Sequence, residues 1–273
     1  LLVPNFSASA NNTAQTLPFS QNWTDTGLIT ANDDWSGIPG IIGYLGDYLP
    51  DTSPTGVDPQ TLTNVDLTTV DVIANQANPN TQTSGGVAEF QITDPVIAMQ
   101  GSGTADAPFI LVNVNSTGVG ALQVSYNVRD IDGAADNATQ QVALHYRVGN
   151  TGNFTNVSEA YVADATTGPS LATLVTPISV TLPAETANQP LVQIRIITTN
   201  AVGSDEWVGI DDISITGTPI ADIAPTVTST TPANSAMGVD PASTVVVNFS
   251  EAVNAVTPDA FTISCSDTGA HTY

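Results

Sequence analysis

Short stretches in which apolar and polar residues alternate dominate the sequence, and they restrict the chain to β structure. An apolar residue at every second position is the pattern of a strand with one buried face. The runs end in clusters of Gly, Asn, Asp and Pro, the residues that form turns. The clearest runs lie at 122–128, 142–148 and 192–196, and further strands are predicted at 87–92, 108–115, 175–182 and 207–215.

Many short strands in a chain of 273 residues predict an all-β fold, with two sheets packed as a jelly-roll-like β-sandwich. No stretch of a dozen residues has the 3.6-residue period of a helix, and the best short helical candidate lies near Asp71 to Asn75. Residues 31–85 are rich in Gly, Pro, Asn and Asp, so we expect long loops that cover one end of the sandwich.

Composition divides the chain into four segments. Residues 1–10 end in Ala8-Ser9-Ala10, which predicts the tail of a signal peptide and hence a secreted, extracellular or cell-surface protein; an ordinary disordered terminus is the alternative. Residues 11–217 form the predicted large sandwich. A Pro-flanked linker is predicted at 218–224, and a partial Ig-like β-sandwich at 225–273.

The charge balance limits the partners of the chain. It has 26 acidic residues, 21 of them Asp, against three arginines and no lysine, which gives a net charge of -23. Because Lys and Arg neutralise phosphates in nucleic-acid complexes, this composition argues against direct nucleic-acid binding unless divalent cations bridge the two. The same repulsion disfavours anionic lipid, and no apolar run approaches the roughly 20 residues of a membrane-spanning helix.

The C-terminal segment resembles the bacterial Ig-like domain of the surface-layer type. That family opens with a P-V-x-S-T-x-P-A-N-G-A-x-G-V segment followed by V-x-F-S-E-P-V. The resemblance implies a partial Ig-like sandwich that continues, with further domains of the same chain, beyond Tyr273. The matching residues are Pro225, Val227, Ser229, Thr230, Pro232, Ala233, Asn234, Ala236, Gly238, Val239, Val247, Phe249, Ser250, Glu251 and Val253, whereas Ala252 replaces the common Pro.

Residues 19–217 resemble an N-terminal region of long secreted bacterial proteins, several of which carry an endonuclease/exonuclease/phosphatase domain further along. The segments that carry the resemblance are DDWSGIPG (33–40), DVIANQANPNT (71–81), RDIDGAADNATQQVALHYRVG (129–149) and DEWVGIDDISITG (205–217). The last segment is also common in jelly-roll adhesive and carbohydrate-binding modules. The resemblance implies no activity for this region, so no catalytic residue is assigned.

A turn between two predicted strands carries oxygen ligands at close spacing. Asp130, Asp132, Asp136 and Asn137 form D-x-D-G-x-x-D-N, and a short loop of such side chains is how Ca²⁺ obtains its oxygen ligands. Gln141 stands where an EF-hand requires Glu, so the pattern is not an EF-hand. The alternative is a hairpin turn in which Asp and Asn bond to their own backbone.

A second acidic group is predicted from the last strand of the sandwich. Adjacent strand residues point to opposite faces, so one of Asp211 and Asp212 must face inward in WVGIDDISI. An inward carboxylate costs several kcal/mol unless it is paired or bound to a metal. Ca²⁺ is one solution; Arg195 or backbone amides bonded to one Asp is the other. The predicted group is Asp205, Glu206, Asp211 and Asp212, with Asp33 and Asp34 as possible partners.

Other chemistry has weaker support in the sequence. A glycosidase pair of Asp211 and Glu206 would place both carboxylates on one strand with no cleft evident. His145 alternates with apolar neighbours and is interpreted as an outward strand residue. Trp207 is interpreted as a core residue, whereas Trp35, in a loop beside Asp34, is the candidate for an exposed contact with a sugar ring.

The sequence therefore predicts a non-catalytic extracellular module, calcium-stabilised, that acts as a spacer, in adhesion or in binding surface or matrix glycans. The alternative is an accessory N-terminal region of a secreted nuclease or phosphatase whose catalytic domain lies further along the chain.

Overall fold

The computed structural model describes residues 9–46, 55–64, 69–133, 138–167, 172–221, 224–254, 263–265 and 269–271. The chain divides into two compact units, Leu1–Ile220 and Ala221–Tyr273. The division falls within the segment that the sequence predicts as a linker. Among the described residues, no helix has the length and apolar character needed to cross a bilayer.

The larger unit contains a seven-stranded sheet, here called the first sheet. Strands are numbered in chain order through the whole molecule. The first sheet comprises β3 (Phe19–Gln21), β6 (Ile73–Gln76), β7 (Gly86–Phe90), β8 (Val96–Gln100), β10 (Val119–Asp130), β13 (Val175–Thr181) and β15 (Val208–Pro219). Their order across the sheet is β13-β10-β15-β8-β7-β6, and β3 also pairs with β15.

A second, six-stranded sheet completes the sandwich. It comprises β2 (Gln15–Thr16), β5 (Ile41–Tyr44), β9 (Phe109–Asn115), β11 (Val142–Val148), β12 (Thr155–Asn156) and β14 (Val192–Thr198), in the order β12-β11-β14-β9-β2 with β5 also on β9. Four short 3-10 helices lie at Pro59–Thr61, Pro79–Thr81, Ser158–Ala160 and Ala184–Thr186. Strand β1 (Ser9–Ala10) pairs in parallel with β4 (Asp34–Trp35). Residues 1–8 of the predicted signal-peptide tail lie outside the described residues.

The core of this unit follows from the alternation in the sequence. Leu122, Val124 and Val128 of β10 face inward and are fully buried, as are Ile194 and Ile196 of β14. These side chains belong to one continuous apolar cluster that both sheets supply. The predicted all-β class and the sandwich arrangement are confirmed.

Two local predictions are wrong. The candidate helix near residue 71 is strand β6, because its residues pair in parallel with β7 along the edge of the first sheet. Residues 31–85 are not simply long loops, since they also supply β5. All four residues of β5 are buried, and Ile41 and Ile42 pair with Val112 and Leu111 of the second sheet.

The smaller unit is described mainly by one hairpin. Strands β16 (Val227–Thr231) and β17 (Val246–Phe249) are antiparallel, and β18 (Ile263–Cys265) pairs with β19 (Gly269–His271). Apolar side chains of this unit stay exposed in the described part, including Met237 at 95% and Val245 at 58% exposure. The described residues thus place the molecule's well-packed core in the larger unit.

Candidate functional site

Two acidic groups that are far apart in sequence meet at one end of the sandwich. Asp130, the last residue of β10, pairs with Val208, the first residue of β15, and the Ile131 N–H donates to the Trp207 carbonyl at 3.4 Å. This pairing brings Asp132 and Glu206 to the same end. Asp130, Asp132 and Glu206 are only 1%, 3% and 1% exposed.

Several buried polar side chains lie at this end, which we call the polar end. The Gln140 Nε2 donates to the Thr198 Oγ1 at 2.7 Å and to the Thr199 carbonyl at 2.9 Å. The Glu206 N–H donates to the Gln140 Oε1 at 3.4 Å. All four of these residues are buried. Buried polar atoms need such partners. These hydrogen bonds connect the end of β14 to the segments that precede β11 and β15.

A polar pocket of about 340 Å³ opens beside the polar end. Asp132 and Asp205 both line it, together with the amide side chains of Asn80 and Gln100. Asn80 Oδ1 accepts from the Gly133 N–H at 2.6 Å, and Gln100 Nε2 donates to the Asp205 carbonyl at 2.7 Å. The structure therefore joins residues of both predicted calcium groups in one pocket wall.

The Asp205 side chain is the titratable group of this wall whose electrostatics stand out. Its Oδ1 accepts from the Ala201 N–H at 2.6 Å. Burial raises the pKa of this carboxyl to about 6, against the smaller opposing effect of backbone hydrogen bonds to the carboxylate. A negative charge on Asp205 is thus destabilised by the fold.

Metal binding stays a prediction. Within the described part of the chain, no three His, Cys, Asp or Glu side chains come together in a way that would hold a metal ion. Of the first predicted group, Asp136 and Asn137 lie outside the described residues, between β10 and β11. The described acidic residues at the polar end would thus need ligands from that segment, from carbonyl oxygens or from water.

The prediction that one of Asp211 and Asp212 faces the core is wrong, because a β-bulge interrupts β15. Pairing with β10 shifts between Ser125 and Asn127, which places one extra residue in β15. Ile210 and Ile213 both face the apolar core. The opposite edge changes partner at the same place, from β8 at 208–210 to β3 at 213–215. Both carboxylates therefore lie on the outer side.

Arg129 neutralises the buried member of the pair. Its guanidinium lies 2.5 Å from the Asp211 Oδ2 and 3.1 Å from a carboxylate oxygen of Asp94. Asp211 also accepts from the Asp212 N–H at 2.7 Å. Burial raises the pKa of Asp211, and these hydrogen bonds and the Arg129 charge act against that rise. The alternative interpretation named Arg195 or backbone amides: a backbone amide does bond to Asp211, but the arginine is Arg129 and not Arg195.

Asp212 is exposed and takes a backbone conformation that is unusual for a strand. Its φ of 50° is in the left-handed region, which Asp and Asn tolerate better than other side chains. Its Oδ2 accepts from the Asn127 Nδ2 at 2.8 Å. The bulge thus directs the carboxylate outward and fixes one of its oxygens.

Asp33 and Asp34 form hydrogen bonds with residues that do not belong to the polar end. Asp33 Oδ1 accepts from the Val72 N–H at 3.3 Å, and Asp34 Oδ1 accepts from the Ser36 N–H at 3.0 Å. Hydrogen bonds from the Ser36 side chain, and then from its backbone, lower the pKa of Asp34. The nearby Asp71, which the sequence did not predict as a site residue, accepts from the Val87 N–H at 2.6 Å. Burial, with a smaller contribution from Asp33, raises the Asp71 pKa to about 6.

The prediction of an exposed Trp35 is wrong. Its side chain is 0% exposed, its Nε1 donates to the Asp71 carbonyl at 3.0 Å, and its ring meets Trp23 edge-on with centroids 6.5 Å apart. Trp207 is buried as predicted, and its Nε1 donates to the Gln82 carbonyl at 2.9 Å. All three tryptophans are therefore core residues, and Trp35 is not placed to stack on a sugar.

His145 points away from the apolar core, as the sequence predicts, but it is fully buried. It lies across from Arg195, whose guanidinium is 2.6 Å from the His145 Nδ1 and donates to the Leu62 and Asn64 carbonyls. Burial and the Arg195 charge lower the His145 pKa to about 3. The segment around Leu62 covers the outer face of the second sheet, so an outward side chain there is still buried.

Comparisons with known proteins assign one part of the chain. Residues 221–272 match the model of the bacterial Ig-like domain family. This match covers the smaller unit and agrees with the resemblance carried by residues 225–253. No curated protein matches the sequence of the chain.

Several solved structures share parts of the fold at low similarity. A module solved with β-1,4-galactotriose, TmCBM61, has 11% identity and a TM-score of 0.31, and covers 47% of this chain and 74% of its own. A non-crystalline cellulose specific carbohydrate-binding module, CBM28, has 11% identity, 52% and 86% coverage and a TM-score of 0.35. A Stig cyclase from Fischerella sp. TAU has 14% identity, 67% and 87% coverage and a TM-score of 0.34. These TM-scores are all below 0.5, so the likenesses carry no weight for the function of this chain.

Proposed function

We propose that the chain is a non-catalytic module of a larger extracellular protein, used as a spacer or in adhesion to glycans, whose sandwich is stabilised by Ca²⁺ at the polar end. The observation that carries the proposal is the burial of Asp130, Asp132 and Glu206 at one end of the sandwich, beside Asp205. The Ig-like match of the following segment supports a chain of β domains in series.

Burying carboxylates costs several kcal/mol each unless hydrogen bonds and positive charge compensate for the lost water. The whole chain has three basic side chains against 26 acidic ones, so positive charge from the protein itself is scarce. A hard divalent cation with carboxylate, amide and carbonyl oxygen ligands supplies that charge.

The loop after Asp132 supplies the remaining oxygen ligands in this proposal. Asp136 and Asn137 follow in the same connection between β10 and β11, and Asn80 and Gln100 already line the neighbouring pocket. Ca²⁺ takes 6 to 8 oxygens at about 2.3–2.6 Å, so ligands from one short loop and from the ends of two strands suit its coordination.

Thermal unfolding in EDTA and in excess Ca²⁺ tests the proposal. With free Ca²⁺ at about 100 times its Kd, binding adds about 2.7 kcal/mol, which corresponds to a rise in Tm of about 5–10 °C for a unit of this size. Mg²⁺ at the same concentration is the ion control.

Two variants localise the effect. Asp132→Asn should remove most of the Ca²⁺-dependent rise, whereas Asp25→Asn, in an exposed turn where Oδ1 accepts from the Gly27 N–H, should leave it intact. If the wild-type chain has the same Tm in EDTA and in Ca²⁺, the calcium part of the proposal is wrong.

A further inference from the structure

A row of four serines crosses the outer face of the first sheet. Ser179 of β13 pairs with Ser125 of β10, Ser125 pairs with Ser214 of β15, and Ser214 pairs with Ser20 of β3. Ser179 and Ser20 are exposed, and Ser125 and Ser214 are half-buried. Neighbouring strands lie about 4.8 Å apart, so the hydroxyls repeat at that spacing over about 14 Å.

On one side of this row the neighbouring residues are also uncharged and polar. Gln123 of β10 lies between Thr181 of β13 and Thr216 of β15. Its Nε2 donates to the Ser179 Oγ at 2.9 Å, and its Oε1 accepts from the Thr181 Oγ1 at 3.4 Å. The face is thus a continuous array of hydroxyl and amide groups held in register by the sheet.

A pocket of about 290 Å³ lies at the β15–β3 end of the serine row. Ser20, Asn22, Asp212 and Ser214 contribute polar groups to its lining. The β-bulge turns the Asp212 carboxylate toward this face, and Asn127 binds one of its oxygens. The left-handed backbone at the bulge orients the Asp212 side chain differently from its neighbours in the strand.

The polar groups of this outer face are suited to a ligand that is rich in hydroxyl groups. Hydroxyl and amide groups around one oriented carboxylate match the hydroxyls of a sugar, which both donate and accept hydrogen bonds. The net charge of -23 repels anionic polymers such as nucleic acids and uronic-acid or sulfated glycans. In an extended glycan each pyranose spans roughly one strand spacing, so successive sugars would meet successive serines.

We propose that this outer face binds a neutral, extended glycan laid across β13, β10, β15 and β3, with Asp212 and Ser214 binding the hydroxyls of one sugar in the pocket. The inference deepens the adhesion role and rests on it, but it does not depend on Ca²⁺ at the polar end. Hydrogen bonds to a charged group are stronger than those between neutral groups, so binding depends most on Asp212.

Affinity gel electrophoresis of the full chain in gels containing neutral polysaccharides tests the inference. The panel holds a β-1,4-glucan, a β-1,4-galactan, a xylan and a galactomannan, with polygalacturonate as the anionic control. We expect at least one neutral polymer to retard the wild-type chain and polygalacturonate to leave it unretarded.

Variants of the pocket give the decisive comparison. Asp212→Asn keeps the left-handed backbone and an acceptor for Asn127, and should weaken binding by about tenfold or more. Ser214→Val keeps a strand-forming residue and should weaken it by about threefold to tenfold. Asp25→Asn should bind like the wild type. Circular dichroism should show that all variants are folded.

The outcomes separate this inference from the broader proposal. Retardation that survives both Asp212→Asn and Ser214→Val would mean that the module binds glycans elsewhere, which overturns the inference and leaves the adhesion role standing. Absence of retardation by every neutral polymer overturns the inference and the glycan role together. Neither outcome bears on the calcium-dependent Tm.

Discussion

Carboxylates occur both just before β15 and in its middle, and the protein accommodates the two groups by different means. At the polar end, Glu206 is buried with Asp130 and Asp132 inside a layer of hydrogen-bonded polar side chains. In mid-strand, a bulge moves Asp211 and Asp212 to the outer side, where Arg129 neutralises one and solvent reaches the other. Carboxylates that are close together in the sequence can therefore have different electrostatic surroundings.

The difference teaches that a carboxylate within a strand depends on both the backbone geometry and a nearby positive charge. The middle of β15 has an arginine on the adjacent strand within hydrogen-bond distance, so the two carboxylates can remain in a paired strand. At the polar end, the Asp130 carboxylate accepts from the Asp132 N–H, and we propose that Ca²⁺ supplies the positive charge.

The largest effect is expected when the arginine is removed. Arg129→Met should lower the free energy of unfolding at pH 7 by about 3 kcal/mol, because it leaves the Asp211 charge buried without its cation. Urea denaturation measures the change. Adding Asp211→Asn to Arg129→Met should recover most of the loss. If Arg129→Met is as stable as the wild type, the ion pair is not what keeps Asp211 in the strand.

A smaller effect should come from the backbone of the bulge. Asp212→Val places a β-branched residue at a φ of 50° and should cost about 2 kcal/mol, whereas Asp212→Gly should stay within about 0.5 kcal/mol of the wild type. Urea denaturation at pH 7 compares the two variants. Ser214→Val, at an extended position of the same strand, is the control for the introduced side chain. Equal stability of Asp212→Val and Asp212→Gly would contradict a strained bulge.

The smallest effect should appear as a pH dependence at the polar end. The pKa of Asp205 is raised to about 6, from an ordinary value of about 4 in the unfolded chain. Between these values the folded state holds more protons, so the free energy of unfolding should fall as pH rises from about 4 to about 6 and stay level above.

Asp205→Asn measures that contribution directly. It should flatten the pH slope by about 1 kcal/mol over this window, an amount that allows for the exposed part of the side chain. Denaturation in EDTA across pH 4–7 gives the slope. Asp71 titrates in the same window in both proteins and therefore cancels. An unchanged slope in Asp205→Asn would show that this carboxyl is not desolvated by the fold.

The strands were predictable because local alternation encodes them. Leu122, Val124 and Val128 repeat at the period of a strand, and they face the core as that period requires. The Pro-Ala-Asn turn and β-branched residues of the smaller unit were equally local signals, and they agree with the Ig-like match. Fold class and strand positions thus follow from short-range pattern.

The site was less predictable because its determinants are long-range. The sequence predicts that Trp35 lies in a loop. In the structure its Nε1 donates to the Asp71 carbonyl, and its burial depends on β5 and Trp23. His145 alternates as an outward residue, but a covering segment near Leu62 buries that face. The bulge at Asp212 moves the inward apolar residues from even to odd positions, because Ile210 is followed by Ile213, and the prediction of an inward carboxylate overlooked this local signal. The errors at Trp35 and His145 came from contacts between distant segments.

The positions of the three arginines determine where a protease that cleaves after basic residues could cut the folded chain. Arg129, Arg147 and Arg195 lie within the paired strands β10, β11 and β14, and the guanidinium groups of Arg147 and Arg195 both lie over the Phe154 ring. With no lysine in the sequence, an enzyme that cleaves only after basic residues finds three peptide bonds, all inside sheets. Such an enzyme needs an extended segment free to enter its cleft, so digestion has to wait for the sandwich to open.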